Sequence, residues 1–142
     1  MRHLASALFL LVLFCVASAQ EKEKWQRLYT FDTSVIDIDK ANVVFNTKGT
    51  GRVRFRISLS KSATVPGEPT LTYKRIIQTM EYNCTEGLYR VFDITRYDGK
   101  GEVVQAEKIG GNGEWKSVYS ASLTERLYEA ACRLIREKRH DP

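Results

Sequence analysis

Three arginines at alternate positions are the most pointed chemical feature of this 142-residue chain. Arg52, Arg54 and Arg56 interleave with Val53, Phe55, Ile57 and Leu59. Such strict alternation marks a strand with one buried face and one wet face. The arginines then share the wet face, each about 7 Å from the next, in a line of roughly 14 Å. Arginine suits bidentate pairing with carboxylate, sulfate or phosphate. The stripe is therefore a candidate site for an anionic partner, either a protein or an anionic glycan. The competing reading is a solvated sheet face whose charges discourage edge pairing.

Catalytic chemistry finds less support. Apart from His3, the only histidine is His140, in the C-terminal tail, whereas a Ser-His or Cys-His pair needs its imidazole in a packed site. Asp37 with Asp39, or Asp93 with Asp98, offers paired carboxylates. The first pair flanks a turn and Asp98 belongs to a hairpin, so no spacing makes two acids converge. No catalytic residue, metal or cofactor is expected.

The cysteines are read through the N-terminus. Arg2 and His3 precede an apolar run from Leu8 to Val16, and Ala17-Ser18-Ala19 supplies the small residues of a cleavage site. Residues 1–19 are read as an export signal cut before Gln20. Phe14 before Cys15 does not suit a lipid-anchor signal. The run is too short to span a bilayer, and nothing later is longer, so no membrane span is expected in the mature chain. That chain is expected in the periplasm, on the cell surface or outside the cell. Cleavage removes Cys15 and leaves Cys84 and Cys132 in an oxidising compartment, where one disulfide is the natural expectation. Closing a loop of this length would contribute roughly 4 kcal/mol. The alternative is a pair of buried free thiols. With the cysteines paired, no Cys/His metal set remains.

Charge adds little. Past residue 19 there are 21 basic and 17 acidic side chains, a net +4. This favours anionic partners at long range or simply keeps the domain soluble. Nucleic acid is not expected outside the cytoplasm. Asn83-Cys84-Thr85 matches a glycosylation sequon formally, but a bonded cysteine at its centre makes the match one of chance.

The elements that position these residues follow from periodicity. Residues 20–24 are a polar leader, 25–138 one domain and 139–142 a tail. Trp25 to Phe31 alternates as a first strand, with Trp25, Arg27, Tyr29 and Phe31 on one side. Val35 to Ile38 is a short apolar patch, Val43 to Thr47 a short strand, and Arg52 to Leu59 the clearest strand. Ser60 to Glu68 reads as a polar segment with a turn at Pro66-Gly67. Thr70 to Cys84 is β-rich and suggests a bulge. Leu88 to Tyr97 and Glu102 to Ile109 flank Asp98-Gly99, a strong hairpin signal. Ser122, with Glu125 three residues on, caps one helix whose apolar stripe is Leu123, Leu127, Ala130, Ala131 and Leu134. The expected fold is α+β: an antiparallel sheet of about five to six strands with one C-terminal helix packed against it.

Several short motifs in this order resemble one family. They are Trp25-Gln26-Arg27-Leu28, Asp32-Thr33-Ser34, Glu81-Tyr82-Asn83-Cys84, Tyr97 to Gly101, and the closing set Trp115, Ser122 and Cys132. Together they resemble the surface-adhesin protein E-like domain of bacterial envelope proteins, from Trp25 to about Ile135. The resemblance implies a sheet with a helix against it, a bond between Cys84 and Cys132, and a homodimer as one assembly to test. It also implies attachment to host matrix and plasma proteins. The chain departs from the pattern at Asn83, where Asp is common, and in an insert-like segment, Lys61 to Pro69. The leading functional reading is an exported, non-enzymatic binding or adhesion-type domain. The alternative is a periplasmic domain holding a small ligand in a pocket between helix and sheet.

Overall fold

The computed structural model describes residues 24–46 and 49–140. The expected signal peptide, and all of the polar leader but Lys24, lie outside them. Among the described residues eight strands precede one α-helix: β1 (Trp25–Thr30), β2 (Ser34–Asp39), β3 (Val44–Phe45), β4 (Gly51–Val65), β5 (Glu68–Asn83), β6 (Leu88–Tyr97), β7 (Val103–Lys108), β8 (Lys116–Ser117) and α1 (Leu123–His140). They form one sheet in the order β1-β2-β4-β5-β6-β7, with β3 beside β4 and β8 beside β6. Every pairing is antiparallel. The expected α+β architecture is the observed one. The strand expected from Val43 to Thr47 is β3, paired over two residues; the short apolar patch Val35 to Ile38 is the full strand β2, and β8, with two residues, is too short to leave a periodic signal. Among the described residues no helix is long and apolar enough to cross a membrane.

One face of the sheet meets the helix. Ile36, Ile38, Val53, Phe55, Met80 and Tyr82 pack there against Ala130, Ala131, Leu134 and Ile135. The approach is close at Gly51, where an added Cβ would lie 2.6 Å from Ile135 Cδ1. Glycine is required there by space rather than by backbone conformation. Ser122 Oγ accepts the Glu125 N–H at 3.1 Å, and Glu125 Oε2 accepts the Ala121 N–H at 2.6 Å, so the capping box forms one residue wide of its usual return. The Cys84–Cys132 disulfide ties the loop after β5 to the third turn of α1. Tyr128 Oη donates to the Cys84 carbonyl at 3.0 Å beside it.

Two local expectations change. Ser60 to Glu68 is not a loop: β4 and β5 continue through Ala63↔Tyr73 and Thr64↔Thr72 to a turn at Pro66-Gly67, where Gly67 has φ 78°. β2 stops pairing at Leu59 and β6 at Arg75. The hairpin beyond is a two-stranded arm whose outgoing residues Ser60, Lys61 and Ser62 are all exposed, so nothing demands apolar alternation in that stretch. In β1, a register shift between Arg27 and Tyr29 puts Leu28 and Tyr29 both against the core, which a strict two-residue period does not allow.

Candidate functional site

The face of the sheet opposite the helix carries the arginine stripe, and cross-strand register sets acids between its members. Asp37 lies opposite both Arg27 of β1 and Arg56 of β4. Glu81 of β5 lies opposite both Arg52 of β4 and Arg90 of β6. Two Arg–acid–Arg rows result. Alternation in β2 explains the first, because buried Ile36 and Ile38 force Asp37 and Asp39 onto the opposite face.

The contacts are specific. Arg56 Nε and Nη2 both donate to Asp37 Oδ2, at 3.0 and 2.8 Å, and Arg27 Nε donates to Asp37 Oδ1 at 3.1 Å. Arg90 Nε and Nη2 reach Glu81 Oε2 at 2.7 and 2.6 Å. Thr50 Oγ1 and Asn46 Nδ2 each donate to Glu81 Oε1 at 2.6 Å. Arg52 stands 3.7 Å from Glu81 and stacks 3.6 Å over the Phe92 ring. Arg54 donates to Asp39 Oδ2 at 3.4 Å, and the guanidinium groups of Arg54 and Arg56 lie over Trp25.

Glu81 and Asp39 are fully buried. Burial alone raises a carboxyl pKa, but at Glu81 the Thr50 hydroxyl and Arg90 outweigh it, and the net shift is downward. At Asp39 burial is likewise outweighed, by Asn42, the N–H groups of Lys24 and Ala41, and Arg54. Both acids therefore stay ionised and hold the arginines.

The three expected arginines thus share one face, as their spacing predicts, but their side chains are 27–29% exposed rather than fully wet. Each is matched to an acid. The five arginines Arg27, Arg52, Arg54, Arg56 and Arg90 against Asp37, Asp39 and Glu81 sum to +2, and Asp93, in register with Thr79 and Arg54, lies on the same face. Cys84 and Cys132 are bonded. Sequence reasoning weighed Asp37 and Asp39 only as a catalytic pair and did not single out Glu81, Arg90 or Phe92 as site residues. The alternation of Val35-Ile36-Asp37-Ile38-Asp39 carried the signal for the two aspartates.

Space for a small ligand beneath the helix is taken up by Phe55, Tyr82, Leu134 and Ile135, each at most 4% exposed. The depressions near α1 lie at its sides, where the helix meets the edge of the sheet. One, of about 380 Å³, lies between Leu28 and Leu134 with Arg133 and Glu137 at its rim. A second, of about 360 Å³, has Tyr29, Arg126 and Arg136 in its wall.

Fold and site define the class: a small antiparallel-sheet domain with a disulfide-tied helix on one face and an arginine–aromatic lattice on the other. The chain belongs to the surface-adhesin protein E family, whose model matches residues 21–133, and by family it is an adhesin-type envelope protein. Solved structures of Haemophilus influenzae protein E share the fold. Crystal form II gives a TM-score of 0.57 at 18% identity, over 77% of this chain and 87% of that one. Another structure of the protein gives 0.55 at 18%, over 80% and 84%. Protein E from non-typeable Haemophilus influenzae gives 0.54 at 17%, over 78% and 75%. No curated protein matches the chain in sequence.

Proposed function

We propose that this protein is an exported, non-enzymatic adhesion domain that holds a protein or anionic glycan partner on the helix-free face of its sheet. The observation that supports this reading most is the lattice of five arginines, three acids and the three aromatic rings that stack with them, Trp25, Phe92 and Trp115. Acids on one edge of a guanidinium fix its plane, and aromatic rings beneath it limit its motion. The remaining N–H donors then point in set directions, which lowers the cost of ordering them on binding. Arginine with aromatic residues is also the composition of binding hot spots. No cofactor enters the reading. The family resemblance makes a host surface the partner to test first, with the homodimer as a separate question for sedimentation.

The test uses Arg27, whose side chain is 60% exposed and makes one contact, because it can be changed with little effect on folding. Binding of the exported protein to immobilised heparin and to acidic matrix proteins is measured at two salt concentrations. Arg27→Gln should weaken binding and flatten its salt dependence, since one fewer ionic contact is left to screen. Unchanged affinity and salt slope on every surface would refute the assignment of this face.

A further inference from the structure

The lattice has a gap at one end. Arg27, Arg52, Arg54, Arg56, Arg90 and Arg96 each lie within 4 Å of a carboxylate. Arg75, half-buried on the same sheet, has no carboxylate partner among the described residues. Its guanidinium stacks 4.7 Å over the Tyr97 ring, and its Nε is buried without a hydrogen-bond acceptor. Burying an unpaired cation is costly unless something neutralises it.

Register places this arginine at the end of the stripe. Arg75 lies opposite Ser58, two residues beyond Arg56 on β4, so it shares the arginine face and sits about 7 Å further along it. It forms the floor of a cleft of about 290 Å³ between β4–β5 and the tip of the β6–β7 hairpin. Lys74 and Lys100 line the same cleft, and both are exposed. Gly101 of the hairpin tip stands against Arg75. A Cβ at Gly101, whose φ is 89°, would come 3.6 Å from Arg75 Nη2. The one acid in the lining, Asp98, is turned into its own backbone, where Oδ1 accepts the N–H groups of Lys100 at 2.8 Å and Glu102 at 2.9 Å.

We infer that this cleft is a sulfate-binding subsite for an extended sulfated glycan, with Arg75 as the fixed, planar anchor and Lys74 and Lys100 as mobile point charges. Three cations lining one cleft with a single, backbone-tied acid suit an oxyanion, and a planar fork suits two of its oxygens. Continuity with Arg56 and Arg27 favours a polymer carrying repeated charges over a single free ion. The inference deepens the reading of the open face and rests on it for the rest of the glycan's path.

The experiment measures binding of a heparin octasaccharide, its desulfated form and inorganic sulfate to the exported protein, with amide shifts followed at Gly99 and Gly101. Variants are Lys74→Gln/Lys100→Gln, Arg75→Gln and Arg27→Gln. Removing the two exposed lysines should leave the fold intact and weaken octasaccharide binding about tenfold. Desulfation should abolish the shifts at both glycines. Arg75→Gln should weaken binding further, and a native far-ultraviolet spectrum separates that loss from misfolding. Loss in Arg27→Gln alone, with the lysine variant unchanged, overturns the subsite and leaves the face reading standing. Loss in the cleft variants alone supports the subsite and removes the rest of the face. Equal binding of the desulfated chain, shifts seen only with molar inorganic sulfate, or no binding by the unmodified protein overturns the inference.

Discussion

Replacing Arg52, Arg54 and Arg56 together by glutamine measures how far the lattice holds the fold rather than merely decorating it. If the three side chains were solvated, the change would cost almost nothing, because exposed charges contribute little. Their partners suggest otherwise. Arg56 makes two hydrogen bonds to a carboxylate that is 5% exposed. Losing it should cost about 2 kcal/mol, the scale of a charge-assisted bond to a buried acid, since Asp37 retains only Arg27 on its other edge. Arg54 should cost about 1 kcal/mol, because Asp39 keeps bonds from Lys24, Ala41 and Asn42. Arg52 makes no close bond to Glu81, which Arg90 and Thr50 still satisfy. Its stacking on Phe92 is worth about 1 kcal/mol. The acids are distinct, but Arg54 and Arg56 share the Trp25 ring, so the losses should add to at most about 4 kcal/mol. For a domain of this size that lowers the melting temperature by up to about 15 °C. Urea and thermal unfolding, followed by tryptophan fluorescence, would show it, with Arg56→Gln the most harmful single change. A triple variant within about 1 kcal/mol of the parent, or Arg52→Gln as the worst single change, would refute the argument. The variant is also a poor probe of binding, since lost affinity could reflect lost structure.

Two other outcomes follow from the same structure. Cys84→Ser should destabilise the domain by about 2–5 kcal/mol, because it frees the third turn of α1 from the loop after β5; native protein without reductant should show no reactive thiol at Cys84 or Cys132, and two labelled thiols would contradict the bond. Acid should unfold the domain in a defined direction. Glu81 and Asp39 have folded pKa values below their ordinary 4.5 and 3.8, so the stability they contribute is present above those ordinary values and is lost as pH falls through the folded ones. Melting temperature should hold from neutral pH to about 5 and then fall. The difference between the parent and Glu81→Gln should shrink as pH drops, and a constant difference down to pH 2.5 would count against this ionised, buried role.

How much of this was legible depended on whether the cause was local. Arg52 to Leu59 announces its two faces because alternation acts over adjacent residues. The helix is legible from Ser122, Glu125 and the apolar stripe for the same reason. The disulfide needed only a count of cysteines and a compartment. The acids between the arginines were not legible as such. Asp37 meets Arg56 across 19 residues and Glu81 meets Arg90 across 9, and both pairings depend on strand register, which the whole core sets. The arm beyond Leu59 was hidden for the opposite reason. Ser60 to Ser62 are exposed on both faces, so nothing imposed on the outer part of β4 the alternation by which a strand is recognised.

The same register bears on what kind of recognition the face could perform. A patch of five unpaired arginines would attract any anion and lose it equally well in salt. Here three acids remove most of the net charge and leave the guanidinium planes in place. Long-range attraction is thereby reduced, while short-range directionality is kept. On the proposed reading, affinity should follow geometry more than charge. Arg56→Lys keeps the charge, but it loses the paired Nε and Nη2 bonds to Asp37 Oδ2 and the plane that stacks over Trp25. It should weaken binding of an anionic partner nearly as much as loss of the charge would, because lysine is a mobile point charge and cannot present a fixed plane. A lysine variant that binds as tightly as the parent, with an unchanged salt slope, would mean that charge alone is read and that the acids serve only the fold.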